Sequence, residues 1–415
     1  MTPPSRRVVV TGLAAFTPLG NTLEESWEGL LAGRSGIAPL TLFDSREHQT
    51  RIAGELKNFV PHESIPFKQA KRMDRFTQIA VTAGLQLMEN AKFAISEEDS
   101  REVGVILGCG LGGLETIETF HGRLSKQGPK KISPFYIPML IANMAPAQIA
   151  ISIGARGVNL ATTSACASGL HGIGCAYADI LAGRSKAIIT GGVEATITAM
   201  AVSGFNAMKA LSTRNDEPEK ASRPFDRDRD GFVMSEGCGL LLLEELDHAL
   251  ARGAKILAEV IGYGASCDAG HMVAPDEDGR GMSLAMQNAL RDAGIAPERV
   301  DHINAHGTST PLNDISETRA IKAVFGSHAN KLTISANKSQ IGHMLGAAGG
   351  AESVFTVLTI AKGMIPGTMN LENPDDECDL NYMAGRAAPG RVNYAMCNSF
   401  GFGGTNASIV FKRFE

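Results

Sequence analysis

Thr162-Thr163-Ser164-Ala165-Cys166-Ala167-Ser168-Gly169-Leu170-His171-Gly172-Ile173-Gly174 is the stretch on which the chain turns. Small and hydroxyl side chains surround one cysteine, and a helical pattern with glycine on a packed face follows. The pattern predicts a turn into a helix with the Cys166 thiol at its N-terminus. There the positive end of the helix dipole favours thiolate and lowers the thiol's pKa. A single cysteine among small residues is more often a buried filler, so this segment alone leaves packing and nucleophilic chemistry both open.

Outward from that turn, β-rich runs alternate with helical patterns. Residues 7–11, 103–107, 187–190, 239–243 and 300–304 read as strands, and 77–90, 169–182, 281–292 and 315–324 as helices. This alternation predicts an α/β architecture with buried strands. A faint echo between Arg7-Val-Val-Val-Thr-Gly-Leu-Ala and Ile256-Leu-Ala-Glu-Val-Ile-Gly-Tyr-Gly-Ala points to two similar halves meeting near residue 250. The most polar internal run, 223–230, reads as a surface excursion.

Composition bounds the function. The 415 residues are 44% hydrophobic and 20% charged, enough apolar material for a large core. Against 44 Asp+Glu stand 39 Lys+Arg, a net charge of −5, which argues against a general nucleic-acid or polybasic membrane protein while leaving room for a local basic patch. Seven cysteines without a C-x-x-C pair point to a reducing compartment. The apolar start after Arg6-Arg7 is short and broken by Thr11 and Gly12, and reads as a first strand. No apolar run reaches the roughly 18 residues of a membrane span. The expectation is a soluble, cytoplasmic protein.

Three motifs have plain readings. Gly108-Cys109-Gly110-Leu111-Gly112-Gly113 follows a strand and precedes a helix, as a dinucleotide loop does, but no Asp or Glu occurs from Thr119 to Ala178 to hold a ribose. Close packing is the better account. Asp226-Arg227-Asp228-Arg229-Asp230-Gly231 imitates a calcium loop, yet its twelfth residue is Gly237 and its interleaved arginines neutralise the carboxylates. A salt-bridged loop is expected. His302 and His306 have the spacing of a helical zinc pair, but their segment alternates like a strand and has no third ligand at the usual spacing.

Two distant segments strengthen the case for Cys166. Asn304-Ala305-His306-Gly307-Thr308-Ser309-Thr310 ends a strand with a histidine and two threonines. Asn337-Lys338-Ser339-Gln340-Ile341-Gly342-His343-Met344-Leu345-Gly346-Ala347-Ala348-Gly349 sets a lysine and a histidine before a small-residue helix, with Glu352 three residues on and able to pair with Lys338.

Taken together with Ala210-Leu-Ser-Thr-Arg-Asn215, Ser222-Arg-Pro-Phe-Asp226 and Asn398-Ser-Phe-Gly-Phe-Gly-Gly-Thr-Asn406, these segments resemble the elongating β-ketoacyl-acyl carrier protein synthases, most closely the type II, long-chain branch. The match runs over essentially the whole chain in the family's order. It implies a thiolase fold, duplicated halves in a five-layer αβαβα sandwich. Residues 1–252 would carry the nucleophilic cysteine, and residues 253–415 both catalytic histidines.

The resemblance also implies roles. Cys166 is the nucleophile that holds the acyl chain as a thioester. His306 and His343 stabilise the enolate formed as malonyl thioester loses CO₂. Lys338 lies beside them, with Glu352 structural nearby. The oxyanion donors are the backbone N–H groups of Cys166 and Phe402, and Phe402 is also a gate. Thr308, Thr310, Phe400 and Leu111 contact substrate, Leu111 along the acyl pocket near a dimer interface. Substrates ride on the phosphopantetheine of an acyl carrier protein, and the chemistry requires no metal or redox cofactor. Lys68, Lys71, Arg72 and Arg75 recur at i, i+3, i+4 and i+7, so one helical face is basic, and the resemblance makes it the dock for the acidic carrier, with Lys130, Lys131 and Lys209 as further candidates. A homodimer is expected. The sequence leaves open acyl length and a specialised polyketide-type pathway. A weaker alternative is a thiol-dependent acyl hydrolase using Cys166, His306 and Asn398.

Overall fold

One strand order occurs twice in the sheet. The computed structural model describes residues 6–415, so residues 1–5 of the expected N-terminal half lie outside it. The first set of strands is β1 (Val8–Phe16), β2 (Val103–Gly108), β3 (Asn159–Thr162), β4 (Ala187–Glu194) and β5 (Gly237–Glu245). The second is β6 (Ala258–Cys267), β7 (His302–Asn304), β8 (Thr333–Ser335), β9 (Tyr394–Gly401) and β10 (Thr405–Lys412). They lie in the orders β3-β2-β4-β5-β1 and β8-β7-β9-β10-β6, the same arrangement in each set. In both, the strand at the second place is parallel to its two neighbours and the remaining pairs are antiparallel. Val8–Val10 of β1 pair with Ala258–Val260 of β6 and join the sets edge to edge into ten strands. The echo noted in the sequence falls on β1 and β6, the equivalent strands.

The helices repeat as well. Helices α1 (Arg75–Asn90), α2 (Met144–Ile153) and α3 (Ser168–Leu181) follow β1, β2 and β3. Helices α4 (Arg280–Ala293), α5 (Pro311–Phe325) and α6 (Ala348–Lys362) follow β6, β7 and β8. Helices α1 and α2 cover one outer face, and α4 with α5 the other. Between them α3 and α6 pack on each other and on strands of both sets, which completes the five-layer αβαβα sandwich of the thiolase-like fold. Small residues make that central layer thin. A Cβ on Gly169 of α3 would stand 2.7 Å from the backbone nitrogen of Gly350 in α6, so only glycine fits. Helix α6 is buried from Ala348 to Ile360, as a helix between two sheets must be.

Two local expectations are corrected. The run 223–230 is no simple surface excursion: Arg223, Phe225, Asp226 and Arg229 are buried. Their charges are matched inside, Arg223 with Asp226 at 2.9 Å and Arg229 with Asp375 at 2.8 Å. The loop is salt-bridged, but Asp226 is neutralised by the preceding Arg223 and by backbone N–H groups of Asp228, Glu372 and Asn373, not by the interleaved arginines. The second correction concerns the basic helix. Its helical part ends at Ala70, and the Asp74 carboxylate caps a new helix that begins at Arg75. Lys68, Lys71 and Arg72 are exposed, whereas Arg75 turns inward to Glu236 at 2.6 Å. The basic patch therefore has no single helical face and does not include Arg75.

Among the described residues no helix is long and apolar enough to cross a membrane.

Candidate active site

Strand β3 leads into the turn that carries Cys166, two residues before α3. Ala165 sits at φ +49°, a left-handed conformation unusual for a residue with a Cβ. Serine and threonine side chains hold the turn: Ser168 Oγ accepts from Ser164 N at 2.9 Å, Ser399 Oγ donates to the Cys166 carbonyl at 2.8 Å, and Thr405 Oγ1 donates to the Ser164 carbonyl at 3.0 Å. The hydroxyl-rich sequence around Cys166 thus builds the turn itself.

The expected low thiol pKa is corrected. Burial pushes the Cys166 thiol up to about 12, against the opposing pull of the Lys338 charge and of the backbone N–H groups of Phe402 and Cys166. The dipole end of α3 does not outweigh the loss of water.

His343 Nε2 lies 3.0 Å from Cys166 Sγ. The backbone of His343 is fixed on both sides, its N–H donating to Val233 at 2.7 Å and its carbonyl accepting from Ser235 at 2.9 Å. His306 follows β7, and its ring stands edge-on to that of His343, centroids 5.3 Å apart. Burial is the main force holding both imidazoles neutral, far below the ordinary histidine value, and the Lys338 charge adds to it. The Lys338 ammonium meets Glu352 Oε1 at 2.5 Å, the His306 carbonyl at 2.6 Å and His306 Nδ1 at 3.3 Å. An ammonium has three N–H bonds, and each has an acceptor here. Because Nδ1 of His306 accepts from Lys338, the ring's own proton belongs on Nε2.

A cavity of about 560 Å³ joins these groups. Cys166, His306 and His343 line it together with Leu111, Thr308, Thr310, Phe400 and Phe402. Thr308 and Thr310 share a hydrogen bond of 2.9 Å between their hydroxyls. Phe402 occupies the turn between β9 and β10, where Gly403 and Gly404 adopt φ +82° and +70°, a course that a residue with a Cβ resists. Lys209 lies on the cavity rim, while Lys130 and Lys131 are exposed after the helix Leu114–Gln127.

Two buried acids escaped the sequence reading. Glu317 of α5 accepts the backbone N–H groups of His306 and Gly307, both at 2.8 Å, and so shapes the His306 turn. Glu194, at the end of β4, accepts from the backbone N–H groups of Gly110, Leu111 and Gly112 and of Gly346. Burial pushes both carboxyls up to about 7, and those same N–H groups pull them down. The glycine loop 108–113 therefore cradles a carboxylate of the protein's own, which ties the Leu111 loop to the segment after His343. An acidic residue closing the apolar strand Ala187–Glu194 was the signal available for one; a lone Glu317 within a helix offered none.

His302 is buried with Thr333 and Ser335 hydroxyls 3.3 Å from its ring nitrogens, apart from His306. Asn398, the orienter required by a hydrolase triad, engages Ser408 at 2.8 Å and Glu317 at 3.5 Å. Among the described residues no group of three or more His, Cys, Asp or Glu side chains is placed to hold a metal ion.

Comparison with known proteins identifies the family. Residues 5–249 match the β-ketoacyl synthase N-terminal domain, and residues 257–372 the β-ketoacyl synthase C-terminal domain. The chain is 52% identical over 410 residues to a 3-oxoacyl-[acyl-carrier-protein] synthase 2 of Synechocystis, covering 99% of both chains. It is 48% identical to the Staphylococcus aureus protein of that name, again over 99% of each. A β-ketoacyl synthase from Burkholderia phymatum superposes with a TM-score of 0.92 at 35% identity, covering 99% of this chain and 100% of that one. A type II polyketide ketosynthase, solved with its acyl-carrier protein and bound to a hexaketide, does so with a TM-score of 0.89 at 32% identity and the same coverage.

Proposed function

The chain belongs to the β-ketoacyl synthase family and condenses acyl groups with malonyl units to elongate fatty acids, and we propose the following division of labour among its residues. The observation that carries it is the 3.0 Å approach of His343 Nε2 to Cys166 Sγ, in a cavity that His306 also lines.

In the first half-reaction Cys166 sulfur attacks the thioester carbonyl of an acyl-carrier protein. Its S–H proton passes to the departing phosphopantetheine thiolate, and the acyl group remains as a thioester on Cys166. The backbone N–H groups of Cys166 and Phe402, which pull the thiol's pKa down, would stabilise the tetrahedral oxyanion. With a resting thiol pKa near 12, the thiolate forms only as the substrate arrives.

In the second half-reaction the malonyl carboxylate leaves as CO₂, and the electrons of the broken C–C bond move into an enolate. His306 and His343, neutral and presenting Nε2–H, donate to the enolate oxygen. Lys338 fixes the His306 tautomer and orientation through Nδ1 and the carbonyl, and Glu352 holds Lys338. The enolate carbon then attacks the Cys166 thioester, the C–S bond breaks, and the sulfur leaves as thiolate and takes a proton from solvent. The product is a 3-oxoacyl thioester on the carrier.

The carrier partner and the homodimer belong to this reading. Lys68, Lys71 and Arg72 are exposed, and Lys71 stacks on Phe67 at 4.2 Å and Arg72 on Phe135 at 4.4 Å from the ring centroids, which offers an acidic partner a basic and apolar landing site. Strand β3 is an exposed sheet edge with Leu160 half in solvent, and Leu111, Ile137 and Ile141 are also exposed. An unpaired edge beside exposed apolar residues favours pairing with a second copy. Leu111 would then stand where the acyl cavity meets the partner.

The test is condensation by the purified protein with carrier-linked malonate and an acyl series of increasing length. The proposal expects 3-oxoacyl-carrier and CO₂ in equal amounts. Acyl hydrolysis without malonate-dependent product would support the hydrolase alternative instead.

A further inference from the structure

Leu111 and Leu345 line the acyl cavity from two separate pieces of chain. Leu111 lies in the glycine loop after β2. Leu345 stands two residues beyond His343, at a left-handed φ of +47°, and packs in the same apolar cluster as Cys166. Among the described residues no backbone hydrogen bond joins 110–112 to 343–349.

One carboxylate joins them instead. Glu194 is wholly buried at the end of β4, a strand paired on both sides, so the sheet fixes where its side chain starts. Its Oε2 accepts the N–H groups of Gly110 at 2.7 Å, Leu111 at 3.2 Å and Gly346 at 3.2 Å. Its Oε1 accepts that of Gly112 at 3.3 Å, with the Cys109 thiol at 3.8 Å. A single oxygen therefore holds both pieces of chain. The fit is close: a Cβ on Gly346 would stand 2.2 Å from the Gly110 nitrogen and 2.7 Å from Glu194 Oε2. The ends of the Leu111 loop have other anchors, Cys109 N–H to the Thr162 carbonyl and Gly113 N–H to the Leu140 carbonyl, both at 3.0 Å. The N–H groups of its middle donate to Glu194 alone. His343 does not need the clip, because Val233 and Ser235 hold its backbone separately.

We propose that Glu194 is a positioning residue for acyl-chain selectivity, clipping the Leu111 loop to the Leu345 segment so that the cavity keeps its width for a long chain. The proposal rests on Leu111 lying along the acyl path. A carboxylate offers about four lone-pair sites to these donors, whereas an amide offers one oxygen and turns its own N–H groups on the rest.

The experiment compares kcat/KM for condensation of tetradecanoyl- and butanoyl-carrier protein with malonyl-carrier protein. Glu194→Gln should lower the ratio of the long primer to the short one by about tenfold or more, as a displacement near 1 Å does at a reacting site. Thermal melting records general damage. If Glu194→Gln melts too low to assay, Glu194→Asp, which keeps both oxygens but stands one methylene short of the loop, carries the same expectation. Equal losses with the two primers, or no loss with either, overturn the proposal. Leu111→Phe tests the path itself. If it lowers the ratio and the Glu194 variants do not, the Glu194 proposal falls alone; if no variant changes the ratio, the reading of Leu111 falls with it.

Discussion

Lys338 and Glu352 form a buried ion pair, Nζ to Oε1 2.5 Å, with both side chains about 1% exposed. Neither charge has water, so each depends on the other. Lys338→Met leaves a lone buried carboxylate and should cost about 3–5 kcal/mol of stability. Adding Glu352→Gln removes that charge and should restore much of the loss. Activity should stay low in both variants, because Nδ1 of His306 no longer has its donor. Urea unfolding and condensation rates check the two halves of this statement. Recovery of activity along with stability would reduce Lys338 to a structural role.

Buried histidines and buried carboxyls act on acid stability in opposite directions. His302, His306 and His343 have folded pKa values depressed below 6.5, so each contributes stability that is full above 6.5 and falls as pH drops. Glu194, Glu317 and Glu352 are raised from 4.5 to about 7, so their contribution is full below 4.5 and is lost as pH rises through 7. Each group changes stability by about 1.4 kcal/mol per pH unit in its window. Between about 4.5 and 6 the two sets oppose each other, with His171 adding to the histidines and Asp74, raised to about 6, and Asp314 adding to the acids. Unfolding free energy measured in urea should therefore be nearly flat across that range and fall steeply below it. A steady decline beginning at pH 6.5 would contradict the opposition.

Much of this was readable from the sequence, and the reasons differ by residue. Cys166, His306, His343 and Lys338 stood out because each lies beside glycines and small residues, where a strand ends and a helix begins. The repeat of β1 and β6 left a trace because buried strands at equivalent places need the same apolar residues. Glu194 and Glu317 were missed because their partners are backbone N–H groups of distant loops, which carry no residue code. The thiol pKa was misjudged because sequence shows the helix that follows Cys166 but not the depth at which it is buried. Arg75 was misplaced because the spacing i, i+7 assumes an unbroken helix, and Asp74 starts a new one.

Chain-length preference should respond to the Leu111 loop. Leu111 lines the cavity, and its backbone N–H donates to Glu194 at 3.2 Å. Leu111→Phe adds a ring where the tail of a long acyl chain must pass, at a cost of about 1–3 kcal/mol, or roughly tenfold or more in kcat/KM. Short primers should be spared. A uniform loss across lengths in a stably folded variant would place Leu111 outside the acyl path.

Carrier docking should respond to the exposed cations alone. Reversing Lys71 and Arg72 to Glu should raise KM for carrier-linked substrates and leave a small thioester analogue little changed. Wild-type affinity for the carrier should fall with salt, since exposed charges are screened within about 10 Å at 0.1 M. Equal losses for both substrate types would make this segment structural.

The most direct measurement is the mass of the protein after incubation with acyl-carrier protein in the absence of malonyl donor, followed by mapping of the modified peptide. Wild type should gain one acyl group, on Cys166, and release it as 3-oxoacyl-carrier when malonyl-carrier protein is added. Cys166→Ala, which exchanges one small side chain for another and should melt like wild type, should gain none. An acyl group on any of the other six cysteines, or an adduct that persists in Cys166→Ala, would contradict the account.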